Sequence, residues 1–197
     1  MLYGSTECRL EKLILVTGMP GSGKSIFGEV ARKVGIPVVN MGDIVREAAR
    51  RKGLEVTDSN LAKIAVELRE RYGGAAVATL ALEKACRTGS SVVVIEGLRS
   101  LEELDFLRSH AREYIIIAFH ASPKTRFERL KMRGRRDDPS NWEEFERRDR
   151  RELSFGVGSV IALADTVIVN ENVSVEELRR RVERIINEIL GQSVAGT

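Results

Sequence analysis

With 197 residues, 43% of them hydrophobic and 31% charged, the sequence is long enough for one domain with a real core and too polar for a membrane-embedded chain. No apolar run reaches the length of a membrane span, and the N-terminus lacks a signal-peptide pattern, which fits a cytoplasmic protein. Net charge is only +3, yet the pI is near 9.0 and 24 of the 32 basic residues are arginine, whose planar fork grips phosphate at two points.

Along the chain, residues 13–17 form an apolar run of strand length, followed by a glycine-rich loop and a helix over 26–33. A short strand at 36–40 leads into helices over 41–52 and 60–72, separated by a polar link at 53–59. A further helix covers 75–87 and stops near Gly89. Residues 91–95 are too continuously apolar for an exposed strand and read as central and parallel. A helix over 101–110, a strand over 114–119 and a helix over 124–132 follow. An arginine-rich segment then runs from Arg133 to Arg151, and a last strand covers 166–169. The final helix opens on the capping box Ser174-Val175-Glu176-Glu177 and carries Leu178, Val182, Ile185, Ile186 and Ile189 on one face. Residues 193–197 read as prone to fray. Cys8 and Cys86 lie far apart without metal-ligand spacing and read as two reduced thiols. Alternating strands and helices imply an α/β, three-layer fold in a single domain over 1–197. Its mostly parallel five-stranded sheet carries helices on both faces.

The most specific signal is Gly18-Met19-Pro20-Gly21-Ser22-Gly23-Lys24-Ser25, which matches G-x-x-x-x-G-K-[ST] between a strand and a helix. Glycines let successive backbone N–H groups turn inward around phosphate oxygens, and the helix start adds its positive dipole end. Lys24 can reach the β- and γ-phosphates, and Ser25 can ligate Mg²⁺, so the segment points to ATP with Mg²⁺. Two further clusters fall at strand ends, where an open parallel sheet places its ligand crevice. These are Gly42-Asp43-Ile44-Val45-Arg46 and Glu96-Gly97-Leu98-Arg99, each with an acid and an arginine.

On these residues the chain resembles the P-loop nucleoside monophosphate kinases, adenylate kinase especially, and also dephospho-coenzyme A kinase. Taken whole, it looks most like an archaeal group of adenylate-kinase-related P-loop proteins, with the resemblance running from Leu13 to about Leu190. Gly42–Arg46 matches the adenylate kinase G-D-x-x-R segment that begins the acceptor-binding region. Glu96–Arg99 departs from the D-G-x-x-R segment: glutamate replaces aspartate and the arginine comes one place early. The resemblance implies a helical acceptor-binding region over about 41–88 and a mobile arginine-rich lid over about 133–149. Arg135, Arg136, Asp137 and Asp138 best match the lid pattern, and Arg147 or Arg150 the arginine that follows it.

The reading that results is transfer of the γ-phosphoryl group from Mg·ATP to a small phosphate acceptor, first a nucleoside monophosphate. Lys24 and the loop amides hold the donor, Arg46 and Arg99 bind the acceptor, and Asp43 or Glu96 orients it or metal-bound water. Arg135, Arg136 and Arg147 stabilise the charge that develops. For a hydroxyl acceptor, as in dephospho-coenzyme A, Asp43 becomes the candidate base. A rival is a nucleotide-dependent ATPase or switch acting on RNA or a protein. The basic pI permits it, but no RNA-binding module is recognisable and the basic residues interleave with acids. Loss of catalysis is a third reading, against which the intact Lys24-Ser25 pair stands. Trp142 reads as an anchor of the helix after the lid, and Asn170 falls where this fold often meets the base.

Overall fold

The structure, a computed structural model, is described over residues 8–191, so residues 193–197, read above as prone to fray, lie outside the described residues. Apolar alternation along the first strand sets the layering. Within β1 (Leu10–Gly18), Leu13 and Leu15 point to one face of the sheet while Ile14 and Val16 point to the other, all fully buried. β1 pairs in parallel with β3 (Val92–Leu98) and β4 (Ala111–His120). β2 (Val38–Asn40) flanks β3, and β5 (Thr166–Val169) flanks β4, giving a parallel five-stranded sheet in the order β2-β3-β1-β4-β5.

On one face, α1 (Ser25–Lys33) and α9 (Val175–Ile189) close a core of Phe27, Val30, Leu178, Val182 and Ile186 over Ile14, Val16 and Ile117. The capping box is realised: the Ser174 side chain accepts from the Glu177 N–H. On the other face lie α2 (Met41–Arg51), α3 (Asp58–Tyr72), α4 (Ala76–Cys86), α5 (Leu101–Ser109) and the short α8 (Val157–Ala162), packed over Leu13, Leu15, Val93 and Ile95. α6 (Pro123–Arg133) and α7 (Trp142–Phe155) rise beyond the carboxyl ends of the strands and bracket the loop 134–141. Trp142 packs against Phe127 and Phe145, joining α7 to α6.

One expectation is corrected. Cys8 and Cys86 form a disulfide, with Cα atoms 6.1 Å apart. Separation in sequence gave no hint of this; α4 runs back along the sheet and brings its last residue beside the residues that lead into β1.

Candidate active site

β1 ends where the glycine loop begins, and the loop ends where α1 starts. Gly21 takes φ of 82°, and a Cβ there would meet the Arg126 carbonyl oxygen at 2.7 Å, so only glycine fits this approach. Lys24 closes the loop, its Nζ donating to the Gly18 and Met19 carbonyls at 3.1 and 3.4 Å. Desolvation under the loop, reinforced by Arg99, pulls its pKa down to about 8. Ser25 is exposed at the first turn of α1, and the buried Ser22 hydroxyl has no hydrogen-bond partner.

Three side chains outside the motif hold this loop in place. Asn170, buried just after β5, donates from Nδ2 to the Ser22 carbonyl at 2.9 Å. Its own carbonyl and Oδ1 accept from Arg129 of α6 at 3.1 and 3.2 Å. Arg126, 4% exposed, donates to the Pro20 and Ala121 carbonyls and forms a two-pronged pair with Asp149 of α7. Its guanidinium also stacks over Phe145, 4.9 Å from the ring centre, so a buried charge is paired on its edge and covered on its face.

In front of the loop lies a cleft of about 380 Å³. Of the residues expected to act, Lys24, Ser25, Asp43, Arg46, Glu96, Arg99 and Arg135 line it, together with Arg129, Arg133 and Arg148. Arg136 lies outside, on a neighbouring outer cavity, paired with Glu55 at 3.3 Å. Arg147 is exposed and lines neither cavity; on α7 it is Arg148, one residue on, that turns inward beside Phe145 and Glu152. The spacing 145, 148, 152 is a single helical face, a signal that could have identified Arg148 from the sequence. Arg126, Arg129, Leu130 and Arg133 likewise share one side of α6.

Glu96, expected to meet the acceptor or metal-bound water, is 2% exposed, and both its oxygens are engaged within the protein. Oε1 accepts from the Gly28 N–H at 2.9 Å and Oε2 from Asn40 Nδ2 at 3.0 Å. Burial raises its pKa, opposed by the Asn40 hydrogen bond. Asn40 in turn caps α2 by accepting from the Asp43 N–H at 3.3 Å. Glu96 thus ties α1 to the start of the helix that carries Asp43 and Arg46. Asp43 itself is exposed and pairs with Arg46 at 3.0 Å.

The loop 134–141 is folded down over the far side. Asp137, 3% exposed, pairs with Arg46 at 2.9 Å, and its carbonyl accepts from Arg148 at 2.7 Å. Burial of Arg46 would lower its pKa, but Asp137 and Asp43 outweigh it and raise the value. Arg99 pairs with the buried Glu152 at 3.0 Å, and Arg151 with Asp58 at 2.6 Å. Among the described residues no cluster of three or more His, Cys, Asp or Glu could hold a metal ion. A metal here would take Ser25, water and phosphate oxygens, a donor set that suits Mg²⁺.

A family model described as an AAA domain matches residues 17–146. The chain is 49% identical over 180 residues to the UPF0200 protein of Hyperthermus butylicus, covering 91% of this chain and 96% of that one. It is 50% identical over 184 residues to the UPF0200 protein of Thermococcus onnurineus, covering 91% and 99%. Among solved structures it is similar to shikimate kinase from Acinetobacter baumannii in complex with shikimate, with TM-score 0.56, 18% identity and coverage of 94% and 96%. It is also similar to TT1252 from Thermus thermophilus, with TM-score 0.63, 20% identity and coverage of 95% and 100%. The architecture is that of the P-loop kinases.

Proposed function

We propose that this chain, which belongs to the AAA domain family and to the UPF0200 proteins, is a phosphotransferase that moves the γ-phosphoryl group of Mg·ATP to a small phosphorylated acceptor, first a nucleoside monophosphate. The observation that carries the reading is one continuous cleft holding Lys24 and Ser25 at one end and Asp43, Arg46 and Arg99 at the other, with Arg129, Arg133, Arg135 and Arg148 along its far wall. An ATPase that needs only water has no use for two separate arginine groups facing one nucleotide loop.

The loop fits a triphosphate: its glycines leave no room for a Cβ, and its lysine stands against backbone carbonyls that anionic oxygens would replace. The loop amides and Lys24 bind the β- and γ-phosphates. Ser25 would hold Mg²⁺, which when bound neutralises charge on the phosphate oxygens. Arg46 and Arg99 orient the acceptor phosphate, whose own oxygen attacks, so no general base is required. The arginines of α6 and α7 face the charge that spreads over the transferring group. Folding of 134–141 over the cleft excludes water from that group, and this loop with α7 is the proposed lid. Arg136 and Arg147 receive no part in this scheme, and Glu96 is a positioning residue. The direct test is acceptor-dependent consumption of ATP that Lys24→Ala abolishes.

A further inference from the structure

Behind Arg46 and Arg99 the cleft continues into an inner cavity of about 40 Å³, room for a few water molecules. Arginines 46, 99, 148 and 151 line it, against the carboxylates of Asp58, Asp137 and Glu152. Each arginine is already matched inside the protein. Arg46 gives one nitrogen to Asp43 and the other to Asp137, and Arg151 pairs with Asp58. Two are matched incompletely. Arg148 is 8% exposed, yet its Nε has no hydrogen-bond partner, the nearest carboxylate oxygen, of Asp58, standing 3.6 Å away. Arg99 pairs through Nε alone with Glu152, and it borders both cavities. Glu152 follows Arg148 by one turn of α7 and is itself 4% exposed.

We propose that Glu152 is the internal occupant of the acceptor-anion site: its carboxylate holds Arg99 while the acceptor is absent, and the acceptor phosphate displaces it. The inference rests on the reading of Arg99 as an acceptor contact. A carboxylate and a phosphate offer an arginine the same charge-assisted acceptor oxygens, so one can replace the other with little loss at Arg99. Both cannot stay, because two anions a few ångströms apart in a poorly hydrated cavity repel strongly. The incoming anion also supplies the acceptor that Arg148 Nε lacks. Release of Glu152 frees α7 from the end of β3, and α7 follows directly on the loop 134–141. Acceptor arrival is thereby coupled to movement of the segment that covers the cleft.

The experiment titrates inorganic phosphate into the full chain, with the P-loop saturated by Mg²⁺ and a non-hydrolysable ATP analogue, at fixed ionic strength. Removing the competing charge in Glu152→Gln tightens phosphate binding about tenfold or more, and adding Arg99→Ala to it cancels the gain. If Arg99→Ala alone leaves phosphate binding untouched, Arg99 is not the acceptor contact, and the inference fails with the reading beneath it. If Arg99→Ala weakens binding but Glu152→Gln does not tighten it, the acceptor reading stands and the displacement alone is overturned. Independently of whether Glu152→Gln folds, the Arg99 Nε–H resonance of the unmodified protein, labelled with ¹⁵N-arginine, shifts as phosphate saturates. A resonance that stays in place through saturation overturns the displacement.

Discussion

Gly28→Ala inverts a familiar rule. Replacing glycine by alanine inside a helix ordinarily stabilises by about 1 kcal/mol. At this position in α1 a Cβ would stand 2.5 Å from Glu96 Oε1 and 3.1 Å from Val38 Cγ1. The carboxylate is 2% exposed and fixed on its other side by Asn40, so it cannot move aside into water. Separating it from the Gly28 N–H removes a hydrogen bond to a buried charged group, about 1.5–3 kcal/mol. Overpacking adds about 1–3 kcal/mol. After the helix gain is subtracted, the net loss is about 2–5 kcal/mol, which for a chain of this size lowers Tm by roughly 5–15 °C. Thermal unfolding followed by circular dichroism measures it. Gly28→Ala combined with Glu96→Ala loses less than the two single changes together, because both remove one interaction. An unchanged or raised Tm for Gly28→Ala would refute the placement of Glu96 against α1.

Other consequences are as open to test. Lys24, held near pKa 8 in the free protein, must be charged to bind phosphate, so ATP affinity is flat up to about pH 8. Above that it weakens by up to about tenfold per pH unit as binding takes up a proton; a flat affinity from pH 7.5 to 9.5 contradicts this. Asn170→Ala releases the Ser22 carbonyl and the side-chain half of the hold on Arg129, and weakens Mg·ATP binding by about tenfold in titration calorimetry, whereas an unchanged Kd removes the clamp. The Cys8–Cys86 bridge closes a separation of 78 residues, for which loop-closure entropy assigns about 4 kcal/mol. Reductant accordingly lowers the urea midpoint, and two titratable thiols in the untreated protein would contradict the bridge.

Much of this architecture is legible in the sequence, because the parallel sheet imposes continuous apolar runs and the loop needs glycine and lysine at fixed spacing. β5 spans the residues expected of it, 166–169, and α2 falls one residue short of its expected end. β1 and β4 extend past their apolar centres into polar residues such as Glu11 and Arg112, whose backbones continue the ladder where hydropathy fades. α8 goes unforeseen: it has six residues and starts at Gly156, too short for a period to show. The site is harder to read. In a run holding arginines at 147, 148, 150 and 151, composition cannot tell an exposed side chain from one turned inward; only the helical phase set by Phe145 does so. Glu96 reads as a crevice acid from its place at a strand end. Its engagement by Gly28 depends on a contact across 68 residues that no local pattern encodes. The disulfide is hidden for the same reason.

The measurement closest to the central claim is ATP consumption with Mg²⁺ against a panel of nucleoside monophosphates and dephospho-coenzyme A, with products resolved by chromatography and Lys24→Ala run in parallel. The proposed function requires a phosphorylated acceptor that forms with the native chain and vanishes with Lys24→Ala. Slow release of ADP and free phosphate, indifferent to every acceptor, would contradict it and turn the search to a macromolecular partner.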